Sequence, residues 1–235
     1  MRIIILLTAT SCFLSCTQND RHVSIFNTKD FVLIDTSASA DHFLRYDEHE
    51  YNFPIYYIGK ESDTIKIGEW YKGKRLKWVN DVTSYRTRNY SGVTLSLVVD
   101  TSIKTTIKSE YYSEKWELVR DSTRHYSSFL LTIKNISDST IYLGISFSLI
   151  YLNREIKDSA GKWIKIDESI DKAAICGTGQ PHVLLKPGEI LLAKVQRYKG
   201  DFVTDCRFVF GYGNNFVYSN TFKDSVDERI FGQNR

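Results

Sequence analysis

Three stretches of this chain alternate apolar and polar residues with a period of two. Gly92-Val-Thr-Leu-Ser-Leu-Val-Val-Asp100 sets Val93, Leu95, Leu97 and Val99 on one side. Ser128-Phe-Leu-Leu-Thr-Ile-Lys134 does the same with Phe129, Leu131 and Ile133. Asp205-Cys-Arg-Phe-Val-Phe-Gly-Tyr212 groups Cys206, Phe208, Phe210 and Tyr212. Successive side chains of a strand point to opposite faces, so this period marks strands with one face on a core. No stretch longer than about 12 residues keeps a 3.6-residue period. Further strands are expected at 31–35, 53–58, 64–68, 75–79, 103–107, 140–152, 162–166, 183–185, 190–196 and 215–218. A short terminal helix is expected at 226–231. The intervening Ser-Asp, Lys-Pro-Gly and Gly-Asn-Asn segments have turn chemistry. With 42% hydrophobic and 25% charged residues, the composition is that of a globular protein. Many short strands with polar turns predict an all-β sandwich or barrel.

One pattern occurs twice. Ile58–Gly68 reads IGKESDTIKIG and Ile133–Gly144 reads IKNISDSTIYLG, which align with one inserted residue. The Ser-Asp pairs Ser62-Asp63 and Ser137-Asp138 fall between strands, where their side chains bond nearby backbone and form turns. The recurrence predicts two modules, 25–122 and 123–225, followed by a tail at 226–235.

The second half resembles an immunoglobulin-like or fibronectin-like β-sandwich module over about 126–222. The resemblance rests on Leu131-Thr-Ile-Lys-Asn-Ile-Ser-Asp-Ser-Thr-Ile141, similar to a B strand, a turn and the next strand. It rests also on Leu185-Lys-Pro-Gly-Glu-Ile190, similar to the turn before an E strand. Pro187 and Gly188 suit the central positions of a type II turn, the second of which needs φ > 0. The resemblance implies an immunoglobulin-like β-sandwich, with two modules in tandem.

At the N-terminus, Arg2 precedes an apolar run that ends in small residues, the pattern of a secretory signal. The run is too short for a membrane-spanning helix, which needs about 20 apolar residues. Phe13-Leu14-Ser15-Cys16 resembles a bacterial lipoprotein lipobox. The resemblance implies a signal peptide at 1–15, lipidation of Cys16 and a tether at 16–24. Thr17, where inner-membrane lipoproteins often carry Asp, favours the outer membrane. The whole is similar to envelope lipoproteins of the Bacteroidota.

In an oxidising envelope the remaining pair, Cys176 and Cys206, can form a disulfide. The inward face of Cys206 suits either that bond or a core thiol. The bond would contribute roughly 3–4 kcal/mol by the chain-entropy argument.

The formal charge of +3 gives no global signature of nucleic-acid binding. No helical zinc spacing appears among the histidines, and no metal or cofactor is expected. No nucleophile elbow or phosphate loop is present. Binding rather than catalysis is the expectation. Its candidate face is the aromatic and basic stretch carrying Trp70, Tyr71, Arg75, Trp78, Arg86 and Arg88, residue types that dominate interface hot spots. The expected partners are the membrane, through the anchor, and an envelope protein, as for an assembly or toxin-immunity lipoprotein. The alternative is a glycan, as for an accessory of polysaccharide uptake.

Overall fold

The computed structural model describes residues 24–46, 53–69, 71, 90–109, 123–145, 148–167 and 182–232. Among these, the strands in chain order are β1 (Ser24–Asn27), β2 (Val32–Asp35), β3 (Ile55–Lys60), β4 (Thr64–Ile67), β5 (Leu95–Ser109), β6 (Arg124–Asn135) and β7 (Ile141–Ile145). They continue as β8 (Leu152–Lys157), β9 (Trp163–Asp167), β10 (His182–Leu185), β11 (Glu189–Gln196), β12 (Phe202–Tyr212), β13 (Asn215–Tyr218) and β14 (Phe222–Val226). A 3-10 helix, Glu228–Gly232, stands near where a terminal helix is expected. The fold is all-β, and its sheets stack as a sandwich with an added layer.

The central sheet has the order β3-β11-β6-β5, antiparallel throughout. β11 explains the layering. Its Ile190-Leu-Leu-Ala-Lys-Val195 run is buried at every position. A strand buried on both faces must be covered on both faces. Leu191, Ala193 and Val195 join the large core, together with Phe129, Leu131 and Ile133 of β6. On that side lies a five-stranded outer sheet, ordered β13-β12-β8-β9, with β14 also on β12. It contributes Leu152, Ile156, Cys206, Phe208 and Phe210. Phe129 meets Phe222 edge-on at 5.8 Å, and Phe53 meets Phe208 at 5.7 Å, both favourable aromatic geometries.

Ile190 and Leu192 face the other way, into a smaller core with Tyr56, Ile103 and Leu130. That core is roofed by a three-stranded sheet, β1-β2-β4, which supplies Leu33, Ile65 and Ile67. β2 and β4 pair in parallel. β7 and β10 make a separate two-stranded ribbon.

Several expectations are refined here. Residues 95–100 of the first segment and all of 103–107 lie in one strand, β5, with a register shift between Asp100 and Lys104. The shift turns Ile103 toward the smaller core, while Leu95, Leu97 and Val99 face the larger. Val93, expected beside them, is 80% exposed, because it sits in the turn before β5. Tyr212 lies beyond the core end of β12 and is 52% exposed, its ring 5.4 Å from that of Tyr151. The expected strand 140–152 is two strands, β7 and β8, parted at the Leu149–Leu152 turn. The segment 75–79 lies outside the described residues.

Strand pairing does not follow a division at 122/123. β5 and β6, on either side of that point, pair along most of their length, and β3 of the first half pairs with β11 of the second. The two copies of the repeated pattern flank one strand. Ile58 and Ile133, which align in sequence, both stand opposite Leu191. After each, a Ser-Asp turn carries the chain out of the central sheet, to β4 in one case and to β7 in the other. Ser62 Oγ donates to Thr64 O at 2.9 Å. Ser137 donates through its N and Oγ to Asn135 Oδ1, at 2.9 and 2.7 Å. Both serines bond backbone or side chain within two residues, as turn formers do.

Candidate binding face

Every other residue of β12, β8 and β9 faces away from the core, so their outward side chains meet in rows. The register sets Arg207 opposite Glu155, Asp205 opposite Lys223, and Lys157 opposite Trp163. β13 adds Tyr218 opposite Val209. Three of these residues make one contact. The Arg207 guanidinium lies 4.2 Å from the Trp163 ring centroid and 4.3 Å from that of Tyr218. Stacking on one ring contributes about 0.5–1 kcal/mol at an exposed site. Glu155 holds the guanidinium in place, accepting from Nε at 2.8 Å and Nη2 at 2.7 Å through one carboxylate oxygen. The result is a plate of ring, cation and ring across the sheet.

Around the plate, Lys157 Nζ lies 5.2 Å from the Trp163 centroid and 3.1 Å from Asp205. Lys223 reaches the other Asp205 oxygen at 2.7 Å. The hydrogen bonds from these two lysines hold the Asp205 carboxyl below its usual range. Apolar side chains stand open nearby, with Val203 at 65% exposure and Phe216 at 41%. The face is thus a mixed aromatic, basic and apolar surface, and its charges are paired among themselves.

A second polar feature is sealed. Lys194 of β11 points into the smaller core with its side chain fully buried. Its ammonium donates to Asp35 Oδ2 at 2.9 Å, Ser37 Oγ at 2.8 Å and Thr106 O at 2.9 Å, and lies 4.3 Å from the Tyr56 ring centroid. An ammonium has three donors, and all three are used. Burial pushes its pKa down to about 8, against the attraction of Asp35. With no exposed atoms, it can join β2 to β11 but cannot meet a ligand. In the larger core, Arg154 donates to Gln196 O and lies about 5 Å from the Tyr198 and Phe208 centroids. Burial raises the carboxyl of neighbouring Asp224, against the pull of Arg154 and Arg197.

Of the residues expected to bind a ligand, Tyr71 is described. Its N–H donates to Ile55 O at 2.7 Å, and its ring packs against the larger core. Burial, then Glu189, raises its hydroxyl pKa. Trp70, Arg75, Trp78, Arg86 and Arg88 lie outside the described residues, as do Cys16 and Cys176. Cys206 carries a free thiol in the structure. Its Sγ donates to Thr204 O at 3.8 Å, and burial pushes its pKa up to about 12. The inward position expected of it is what the structure has. Sequence reading overlooked the Trp163–Arg207–Tyr218 plate. The alternation that turns Cys206, Phe208 and Phe210 inward also turns Arg207 outward, and this signal was there to use. No alternation indicates that Trp163 and Tyr218 close over it.

No protein-family model, curated protein or solved structure matches this chain.

Proposed function

We propose that this chain is a lipid-anchored protein of the bacterial outer membrane that works by binding an envelope protein through the outward face of β8, β9, β12 and β13. The observation that carries the reading is the Trp163–Arg207–Tyr218 plate. It brings the three residue types most enriched in interface hot spots into one contact. An open sheet face suits another protein surface better than a single small molecule, whose sites are concave. The lipobox-like Phe13–Cys16 supports the anchor. The strand order supports an immunoglobulin-like reading. β6 against β11 corresponds to B against E, β8 against β12 to C against F, and β9 and β13/β14 take the C′ and G places. β5 and β3 then complete the B–E sheet at its two edges.

The test is affinity capture from detergent-solubilised outer membranes, with the lipidated protein as bait. A stoichiometric partner is expected, and Arg207→Ala and Trp163→Ala should each lower its recovery about tenfold or more. Both side chains are half-buried on the outer face and outside the core, so a loss of about 1 kcal/mol, or about 2–4 °C in melting temperature, is expected of the same changes. Capture unchanged in both variants would remove the face from consideration. Glycan-array binding lost in the same variants would assign the face to a sugar instead. The proposed Cys176–Cys206 disulfide has its own test. Neither thiol should react with a maleimide probe in denatured, unreduced protein, and labelling of both would refute the bond.

A further inference from the structure

The outward face of the three-stranded sheet has a role of its own. Register sets Ile25, Ile34 and Lys66 in one row across β1, β2 and β4, and Asn27, Val32 and Thr64 in the next. The inward neighbours Leu33, Ile65 and Ile67 fill the smaller core, so these rows point away from the protein. Ile25 is 64% exposed, and Ile34 and Val32 are half-buried. Three branched aliphatic residues thus lie together on the outer side of a small sheet, Ile25 the most exposed of them.

We infer that this face lies against the lipid bilayer, so that the β8–β9–β12–β13 face points away from it. The inference rests on Cys16 being lipidated. The lipid-bearing residue is then eight Cα steps from Ser24, where β1 begins. At about 3.3–3.6 Å per step, Ser24 can be no more than about 28 Å from the acylated residue. Ile25, the next residue, is the most exposed member of the apolar rows. The alternative is to turn the outer sheet to the membrane. Packed sheets lie about 10 Å apart. Three layers and an outer shell of side chains would place Ser24 about 25 Å from the surface, close to the tether's full extension. With the three-stranded sheet down, the tether spans only its side-chain layer, and Ile25, Val32 and Ile34 leave water.

The smaller core and the Lys194–Asp35 contact fasten this sheet to the body. Orientation of the sheet therefore sets orientation of the whole. The plate around Arg207 then stands two sheet spacings, about 20 Å, farther from the bilayer, within reach of a partner.

The experiment uses full-length lipidated protein in phosphatidylethanolamine/phosphatidylglycerol vesicles. Ile25→Cys and Val203→Cys are each labelled with an environment-sensitive fluorophore, both positions being exposed in the fold. Vesicles carry a nitroxide at headgroup depth, and lipid on Cys16 is verified by mass. The label at position 25 should be quenched at least twofold with a blue-shifted emission, and that at 203 should be unchanged. If the lipid is present and position 25 is not quenched, or both positions are quenched alike, the orientation is wrong while the anchor stands. If Cys16 carries no lipid, the anchor reading and the orientation both fall.

Discussion

Lys194 is a buried cation whose three donors are all satisfied, and this makes its removal costly. Lys194→Met leaves the Asp35 carboxylate buried without its partner, and a broken buried pair costs about 3–5 kcal/mol. Replacing both, as Lys194→Met with Asp35→Leu, should recover most of that loss, because a hydrophobic pair of similar volume avoids the desolvation. Urea unfolding of the three proteins measures both effects; a double variant as weak as the single one would contradict the account. The pH dependence has a definite sign. An unfolded lysine keeps its proton up to its ordinary value of 10.5, whereas Lys194 in the fold releases it near 8. Between these values the unfolded chain binds more protons, so this group makes stability rise with pH. The rise is at most about 3 kcal/mol, at 1.36 kcal/mol per pH unit. Below pH 8 the contribution is constant. Wild type should therefore gain on the double variant between pH 8 and 10.5, and parallel profiles would refute it. Cys206 belongs to the same scale. Once the proposed bond to Cys176 is reduced, the Cys206 thiol is buried and pushed up to about 12, so folded, reduced protein should leave it unlabelled at pH 8 and denaturation should expose it to the probe.

Among the elements, the turn between β10 and β11 was legible in full. Pro187 and Gly188 occupy its central positions, Glu189 N donates to Lys186 O at 3.0 Å, and Gly188 has φ +71°. A side chain at Gly188 meets no obstacle but must adopt the left-handed region, so Gly188→Ala should cost about 1–2 kcal/mol. Gly200 is different, because its reason lies in packing. A Cβ there would lie 2.1 Å from Val226 C and 2.2 Å from Asp227 N, both backbone atoms. Gly200→Ala should displace the end of β14 and lower the thermal midpoint more than Gly188→Ala does, as calorimetry can measure. The edge of β5 is closed by another device that sequence does not announce. The Asn220 side chain accepts from Val99 N at 2.8 Å and donates to Val99 O at 3.1 Å, as a paired strand would. The period-two runs located β6 and β12 because each has a core on its inner side. They misplaced Val93 and Tyr212, because the alternation runs on in letters into the turn before β5 and to the last residue of β12, past the reach of the core. They also missed the burial of Lys194, whose neighbours Leu192, Ala193 and Val195 form an unbroken apolar run more telling than any alternation.

For the whole molecule, the proposed anchoring and the proposed binding separate in experiment. Cys16→Ala should lose the lipid label and leave the membrane fraction while retaining the cooperative unfolding of wild type, since the described fold begins at Ser24. A variant that keeps label and membrane association would place the anchor elsewhere. By itself the sequence determined the local order: strands from a period of two, turns from Ser-Asp and Pro-Gly, the inward face of Cys206. It also determined the recurrence of one strand–turn–strand pattern. These are decided within a few residues, by side-chain direction and allowed backbone angles. Only the tertiary structure decided that the two patterns flank β11 in the same register, that strands from both halves share one sheet, and that Arg207 lies between Trp163 and Tyr218. Such pairings join residues far apart in the chain. They depend on which buried faces cover one another, a choice made by packing the whole core at once and not encoded in any single segment.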